Sequence, residues 1–267
     1  MSAPYEPEPK NHRPQCTAPP GRSGSRSGER RLKPPVLILC GGRGTRLKGA
    51  SAELPKALVE VGGRPLLWHV ASTYRAQGFE RFIFLTGHLG DQVASYVESG
   101  ELPEGGAYLA LDTGEDTTTG GRVLLARDQL GDETFCLTYV DGLSDIDLEA
   151  ELAFHRAHGK VGTVTLVRPR LQWGVARLDG DRVTGFVEKP TSSEWVNGGF
   201  LCFEPEVFDW LEAEESLESG PLERLAAADQ LRGYRHDGFW DCVDTYKDLV
   251  EVNDLWDRGD AAWLPAS

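Results

Sequence analysis

The chain has 267 residues, a net charge of −14, 40% apolar residues and 9% aromatic residues. That suits one large α/β domain or two small ones; it excludes a wholly disordered chain and argues against a nucleic-acid partner, which needs a basic surface. No apolar run approaches the roughly 20 residues of a membrane span, and the polar, Pro-rich start lacks a secretory signal pattern. Residues 1–34 hold seven prolines and seven Lys/Arg against three Glu, net +4, which leaves −18 for the rest. They read as a disordered basic tail ahead of a domain spanning 35–267. Residues 36–39 read as a strand that runs directly into Gly41-Gly42-Arg43-Gly44-Thr45-Arg46. The spacing of Leu66, Leu67, Val70 and Tyr74 predicts a helix over 65–77. Then come a strand at 81–85, a helix at 90–98, a strand at 134–139 ending at Asp141, a helix at 148–158 and a strand at 162–167. Short alternating runs at 175–178, 182–187 and 199–203 predict further strands, some antiparallel, and 205–255 reads as helix again. Strand–helix alternation implies a mostly parallel sheet covered on both faces.

Five cysteines, at 16, 40, 136, 202 and 242, show neither metal-ligand nor redox spacing. Cys40, Cys136 and Cys202 lie in apolar runs and read as buried free thiols, which fits a reducing cytoplasm. The Gly-rich loop after the first strand lets the backbone approach a phosphate and aim its N–H groups at it. It is neither a dinucleotide fingerprint nor a P-loop, because the spacing differs and no Gly-Lys-Ser/Thr follows. Ten residues on, Lys56 follows a stiffening proline. Alone, each chemical candidate has a plain structural role. Lys56 would be a solvated lysine, Asp141 a turn former, Asp244 a helix cap, and Glu188-Lys189 a surface pair. Trp173, Trp195 and Trp240 would be core or interface aromatics, and His69, His155 and His158 form no convergent pattern.

Several blocks stand in a telling order: ILCGGRGTRL at 38–47, PKALVEVGGRPLLWH at 55–69, LDTGEDTTTGGRV at 111–123, LTYVDGLSDIDL at 137–148, FVEKP at 186–190, NGGF at 197–200 and GFWDCVDT at 238–245. Together they resemble the sugar-1-phosphate nucleotidyltransferases, most closely the glucose-1-phosphate cytidylyltransferases, from residue 36 to the C-terminus. The resemblance implies a Rossmann-like α/β sheet with a small additional β region for the sugar pocket. It implies that Leu39, Cys40, Gly41, Gly42, Arg43, Gly44, Thr45 and Arg46 wrap the nucleotide, with Thr117, Arg122 and Val140 also touching it. Arg46 and Lys56 would hold the phosphates, Asp141 and Asp244 would hold Mg²⁺, and Lys189 would pair with the sugar phosphate. Gly174, Glu188, Asn197, Gly198 and Gly199 would complete the sugar pocket.

The implied reaction joins an NTP, above all CTP, to a sugar-1-phosphate, above all glucose-1-phosphate, giving an NDP-sugar and pyrophosphate. Catalysis would fall to Arg46, Lys56 and Lys189. Other NTPs or sugars, and a non-catalytic nucleotide-sugar-binding paralogue, are the competing readings. The partners would be small molecules, with neither nucleic acid nor membrane, in a homo-oligomer. Three departures stand out. The segment 97–110 is short where the family reaches towards a neighbouring subunit, Val140 stands in place of a Gly, and Ala57 stands in place of a Pro.

Overall fold

A computed structural model of the chain describes residues 32–42 and 54–264. The expected tail up to residue 31, Cys16 included, and the loop residues Arg43, Gly44, Thr45 and Arg46 lie outside the described residues. No helix among the described residues is long and apolar enough to cross a membrane.

Four consecutive apolar residues form β1 (Val36–Leu39) and are buried throughout. A strand apolar at every position has to be covered on both faces. Val36 and Ile38 pack with Leu67, Val70 and Tyr74, whereas Leu37 and Leu39 pack with Val123, Ala126 and Leu130. The chain continues through β2 (Glu60–Val61), β3 (Arg64–Pro65), α1 (Leu66–Ala76), β4 (Arg81–Thr86), α2 (Gly90–Glu98) and β5 (Ala107–Asp112). Next come α3 (Thr119–Leu125), α4 (Arg127–Leu130), β6 (Phe135–Tyr139), β7 (Gly142–Ser144), α5 (Leu148–His158) and β8 (Gly162–Val167). The last third holds β9 (Val175–Asp179), β10 (Arg182–Val187), β11 (Val196–Phe203), α6 (Pro221–Ala227), β12 (Leu231–Arg235), β13 (Trp240–Cys242) and α7 (Tyr246–Asp257).

Among the described residues, seven strands form the main sheet in the order β12-β8-β11-β6-β1-β4-β5. Neighbours are parallel except where β11 meets β6 and β8, to both of which it is antiparallel. This is the expected mostly parallel α/β architecture. The hairpin β9–β10 is a separate two-stranded unit, and both of its strands are largely exposed. The region 205–255 departs from the expected helix, because it contains β12 and β13. Both are made by distant partners: Leu231 pairs with Gly162 of β8, and Trp240 with Ser144 of β7. β5 was not expected either; it lines the sheet edge and is half exposed.

Two arrangements position the site. β1 and β6 are parallel neighbours with Leu39 opposite Tyr139, so Gly41-Gly42 and the Val140-Asp141 turn leave the same end of the sheet. Open α/β sheets bind ligands at that end. Second, β7 and β13 form an antiparallel strap with Gly142 opposite Cys242. Asp141 enters this strap and Asp244 leaves it, and Val243 N–H donates to Asp141 C=O at 3.0 Å. Leu143, Val243, Leu249, Val252 and Trp263 form a core of their own beneath it with Val59 and Val61.

Candidate active site

Lys56 stands on a single 3-10 turn, Lys56–Leu58, entered through Pro55. Ala57 is fully buried and anchors that turn. The Lys56 Nζ donates to Asp141 Oδ2 at 2.5 Å and to Asp244 Oδ1 at 2.6 Å, partners 85 and 188 residues away. Burial draws the Lys56 pKa down, but the Asp141 and Asp244 carboxylates more than offset it and hold the ammonium above its ordinary value. Asp244 does not cap α7. Thr245 does, in a reciprocal capping box with Asp248. Asp141 does sit in the turn between β6 and β7, as its residue type suggests, with its carboxylate turned to Lys56.

Asp141, Cys242 and Asp244 each present one donor atom, all within 4.8 Å of one another. Burial first, and then Asp141, push the Cys242 thiol up. Asp141 and Asp244 offer carboxylate oxygens, which suit an oxygen-seeking divalent cation. The ammonium already held between them shows that the pair accepts a positive charge.

A cleft of about 530 Å³ opens here, within the roughly 300–1,000 Å³ usual for small-ligand sites. Leu39, Cys40, Gly41, Gly42, Lys56, Thr117, Arg122, Val140, Asp141 and Asp244 all line it. Among the described residues a Cβ on Gly42 would meet nothing within 4 Å, and Gly42 lines the cleft. Gly41 is small for another reason. A Cβ there would lie 2.2 Å from Arg122 Cζ, and one on Gly87 would lie 2.5 Å from Arg122 Nη1. The buried Arg122 guanidinium donates to Thr86 C=O at 2.7 Å, Gly114 C=O at 2.8 Å, Glu115 C=O at 3.1 Å and Gly41 C=O at 3.2 Å. It ties together the loops after β1, β4 and β5. Val140 lines the cleft while its side chain packs into the core.

A second cleft of about 870 Å³ shares Asp244 with the first. Lys189 lines it, with Trp173, Trp240 and Asp241, and has a left-handed backbone at φ 47°. Gly174 lies against the end of β10, where a Cβ would fall 2.3 Å from Phe186 Cζ and 2.8 Å from Glu188 Oε2. Asn197 and Gly198 sit in a bulge of β11, where its register against β8 shifts. Gly198 C=O accepts from Trp240 Nε1 at 2.7 Å, and Asn197 Oδ1 accepts from Gly199 N–H at 2.9 Å.

Sequence reasoning missed Glu115, Asp116, Thr119 and Tyr139 in the first cleft, Asp241 in the second, and Cys242 beside the carboxylates. Cys242 stands two residues before Asp244, at the end of β13, and comes beside the carboxylates only through the turn that follows that strand. The Tyr139 hydroxyl donates to Glu218, which also accepts from Thr119 Oγ1 at 2.8 Å, a contact between elements far apart in sequence.

Residues 35–258 match a family model described as nucleotidyl transferase. The chain is 39% identical over 249 residues to the probable glucose-1-phosphate cytidylyltransferase of Bacillus subtilis (strain 168), a match covering 85% of this chain and 98% of that one. It is 34% identical over 251 residues to the glucose-1-phosphate cytidylyltransferase of Salmonella typhi, again over 85% of this chain and 98% of its relative. A solved UDP-glucose pyrophosphorylase complexed with UDP-glucose has the same fold, with a TM-score of 0.68 at 16% identity, over 85% of this chain and 100% of that one.

Proposed function

This chain belongs to the nucleotidyl transferase family, and we propose that it transfers the cytidylyl group of CTP to glucose-1-phosphate, releasing pyrophosphate. One observation carries the reading: Lys56, Asp141 and Asp244 meet within hydrogen-bond distance in a cleft walled by the Gly41-Gly42 backbone. CTP and glucose are supported by the names of the relatives at 39% and 34% identity.

A sugar phosphate has a second pKa of about 6, so near neutral pH it is already a nucleophile. The protein therefore needs no general base. Its task is to bring two polyanions together and stabilise a departing pyrophosphate, which is positioning and electrostatics. The Gly42 backbone admits the triphosphate, and Lys56 holds the departing phosphates, a role that the resemblance also gives to Arg46. Lys189 aims the sugar phosphate from the second cleft, and Asp244, common to both clefts, marks where the substrates meet. Gly174, Glu188, Asn197 and Gly198 shape the sugar side. Thr117 faces the nucleotide. Arg122 braces the loops around it, since its guanidinium is committed to backbone carbonyls. Asp141 and Asp244 would hold Mg²⁺, which when bound neutralises phosphate charge and orients the α-phosphate. The domain of 35–267 and a cytoplasmic location, in keeping with four free cysteines among the described residues, belong to the same proposal.

The test is a matrix of the common NTPs against several sugar-1-phosphates, scored by pyrophosphate release with and without Mg²⁺. CTP with glucose-1-phosphate should give the highest kcat/KM, and release should require the metal. A better donor than CTP would overturn the cytidylyl reading, and absence of release with every pair would overturn the enzyme reading.

A further inference from the structure

The Lys56 ammonium stands between the two carboxylates assigned to the cation. Its Nζ is 2.5 Å from Asp141 Oδ2 and 2.6 Å from Asp244 Oδ1. A bound Mg²⁺ would lie about 2.0–2.1 Å from its oxygen ligands. The space between the carboxylates cannot hold both charges, since like charges a few Å apart repel strongly even in a partly wet site. We propose that Lys56 is an internal counter-ion, occupying the cation site of the substrate-free protein and giving it up only when a triphosphate offers the ammonium a stronger partner. The inference rests on the reading of Asp141 and Asp244 as the cation site.

The surroundings suit such an exchange. The backbone of Lys56 is fixed, because it follows Pro55 and precedes the fully buried Ala57. Its four-carbon stem is the mobile part, and Nζ can change partner by rotation about that stem. Lys56 lines the same cleft as Gly41 and Gly42, so a triphosphate lying along that backbone is within the stem's sweep. The Lys56 side chain is 12% exposed and those of Asp141 and Asp244 are 22% and 41% exposed, so the ammonium is tucked deeper than the two carboxylates it joins. One residue thereby has two successive partners, carboxylates first and phosphates second. Linkage then makes the effect reciprocal: whatever draws Lys56 away raises metal affinity, and metal in the site favours Lys56 on the phosphates.

The test reads metal binding rather than turnover. Free Mn²⁺ is followed by electron paramagnetic resonance as it is titrated into the nucleotide-free full chain, comparing wild type, Lys56→Gln, Lys56→Arg and the double variant Lys56→Gln/Asp141→Asn. Lys56→Gln should bind Mn²⁺ at least about tenfold tighter than wild type, the low end for removing a like charge a few Å away. Lys56→Arg, which keeps the charge, should stay as weak as wild type, and the double variant should lose the gain. Lys56→Met repeats the measurement with a stem of similar length if the glutamine variant does not fold. Equal, Asp141-dependent Mn²⁺ affinity in wild type and Lys56→Gln would overturn the counter-ion inference and leave the cation site standing. Absence of Asp141-dependent binding in every variant would overturn the cation site itself, and this inference with it.

Discussion

At Lys56 one ammonium lies against two carboxylates that are distant in sequence, so changing any of the three alters the charge where the substrates' phosphates must meet. Lys56→Ala, Asp141→Asn and Asp244→Asn are each expected to lower kcat at least about tenfold, as lost electrostatic contacts to a reacting centre do. Steady-state pyrophosphate release, with circular dichroism as the folding control, measures it; wild-type kcat in a folded variant would remove that residue from the proposed machinery. A second residue matters for stability rather than turnover. Glu151 is fully buried, its Oε1 accepts from Thr165 Oγ1 at 2.6 Å, and burial pushes its pKa from 4.5 to about 7. The folded state thus keeps a proton that the unfolded chain has already lost. The stabilisation is fully present below about pH 4.5 and is lost as pH rises to about 7, with no further change above. The gap of about 2.5 units corresponds to roughly 3 kcal/mol at most. Glu151→Gln keeps an acceptor for Thr165 but cannot ionise. Urea unfolding near pH 5 and near pH 8 should therefore show a smaller stability loss in the variant than in wild type. Parallel pH profiles for the two proteins would rule this out.

The strap β7–β13 is the element that gathers the site. Only three residues long on each side, it carries Asp141 at its entrance and Asp244 at its exit. It is joined to the β11 bulge by the bond from Trp240 Nε1 to Gly198 C=O at 2.7 Å. A Cβ on Gly198 would come within 2.9 Å of Val167 Cγ1 and 3.1 Å of Thr165 C=O, so no side chain can brace the bulge from within. The strap thus sets the height of the turn placed on the sugar side. Trp240→Phe should keep the packing and lose this bond, leaving a carbonyl without its donor, a cost of about 1–3 kcal/mol. The expected readout is a KM for glucose-1-phosphate raised roughly tenfold with the KM for CTP unchanged; equal effects on both would assign Trp240 to general stability. The same strap explains what was legible in the sequence. Asp141 and Asp244 could be singled out because each sits in a distinctive block, VDG and VDT. That they meet is a property of pairing between residues about a hundred positions apart, which no local pattern encodes. β13, three residues inside a stretch of helical character, exists because β7 lies beside it.

Across the whole molecule, the buried strands of the main sheet were readable and its half-exposed β5 and β12 were not, whereas the largely exposed hairpin β9–β10 was readable from its alternation. Val36–Leu39 and Gly162–Val167 are apolar runs sheltered on both faces, and such runs announce themselves. Ala107–Asp112 is an edge strand with no fully buried residue, and it follows directly on the Pro103 and Gly105-Gly106 breaks. The unit is entered through residues 32–35: Lys33 Nζ donates to Gln77 C=O and Glu149 and lies 5.0 Å from the Phe79 ring centroid, and Pro35 C=O accepts from Cys136 N–H at 2.8 Å. The family match begins at residue 35 and ends at 258. Everything the proposed reaction uses therefore lies after Arg31, whereas a cut beyond Lys33 would remove contacts of the folded body. A chain beginning at residue 32 is expected to keep kcat and both KM values within about twofold of the full chain, the scale of changes remote from a site. A chain beginning at Val36 should lose thermal stability before it loses catalytic competence per folded molecule, because Lys33 anchors the segment leading into β1 and touches neither cleft. The pair is compared by melting temperature and by active-site-normalised kcat. A kcat collapse in the chain beginning at residue 32, with melting unchanged, would instead put residues of 1–31 into the working site.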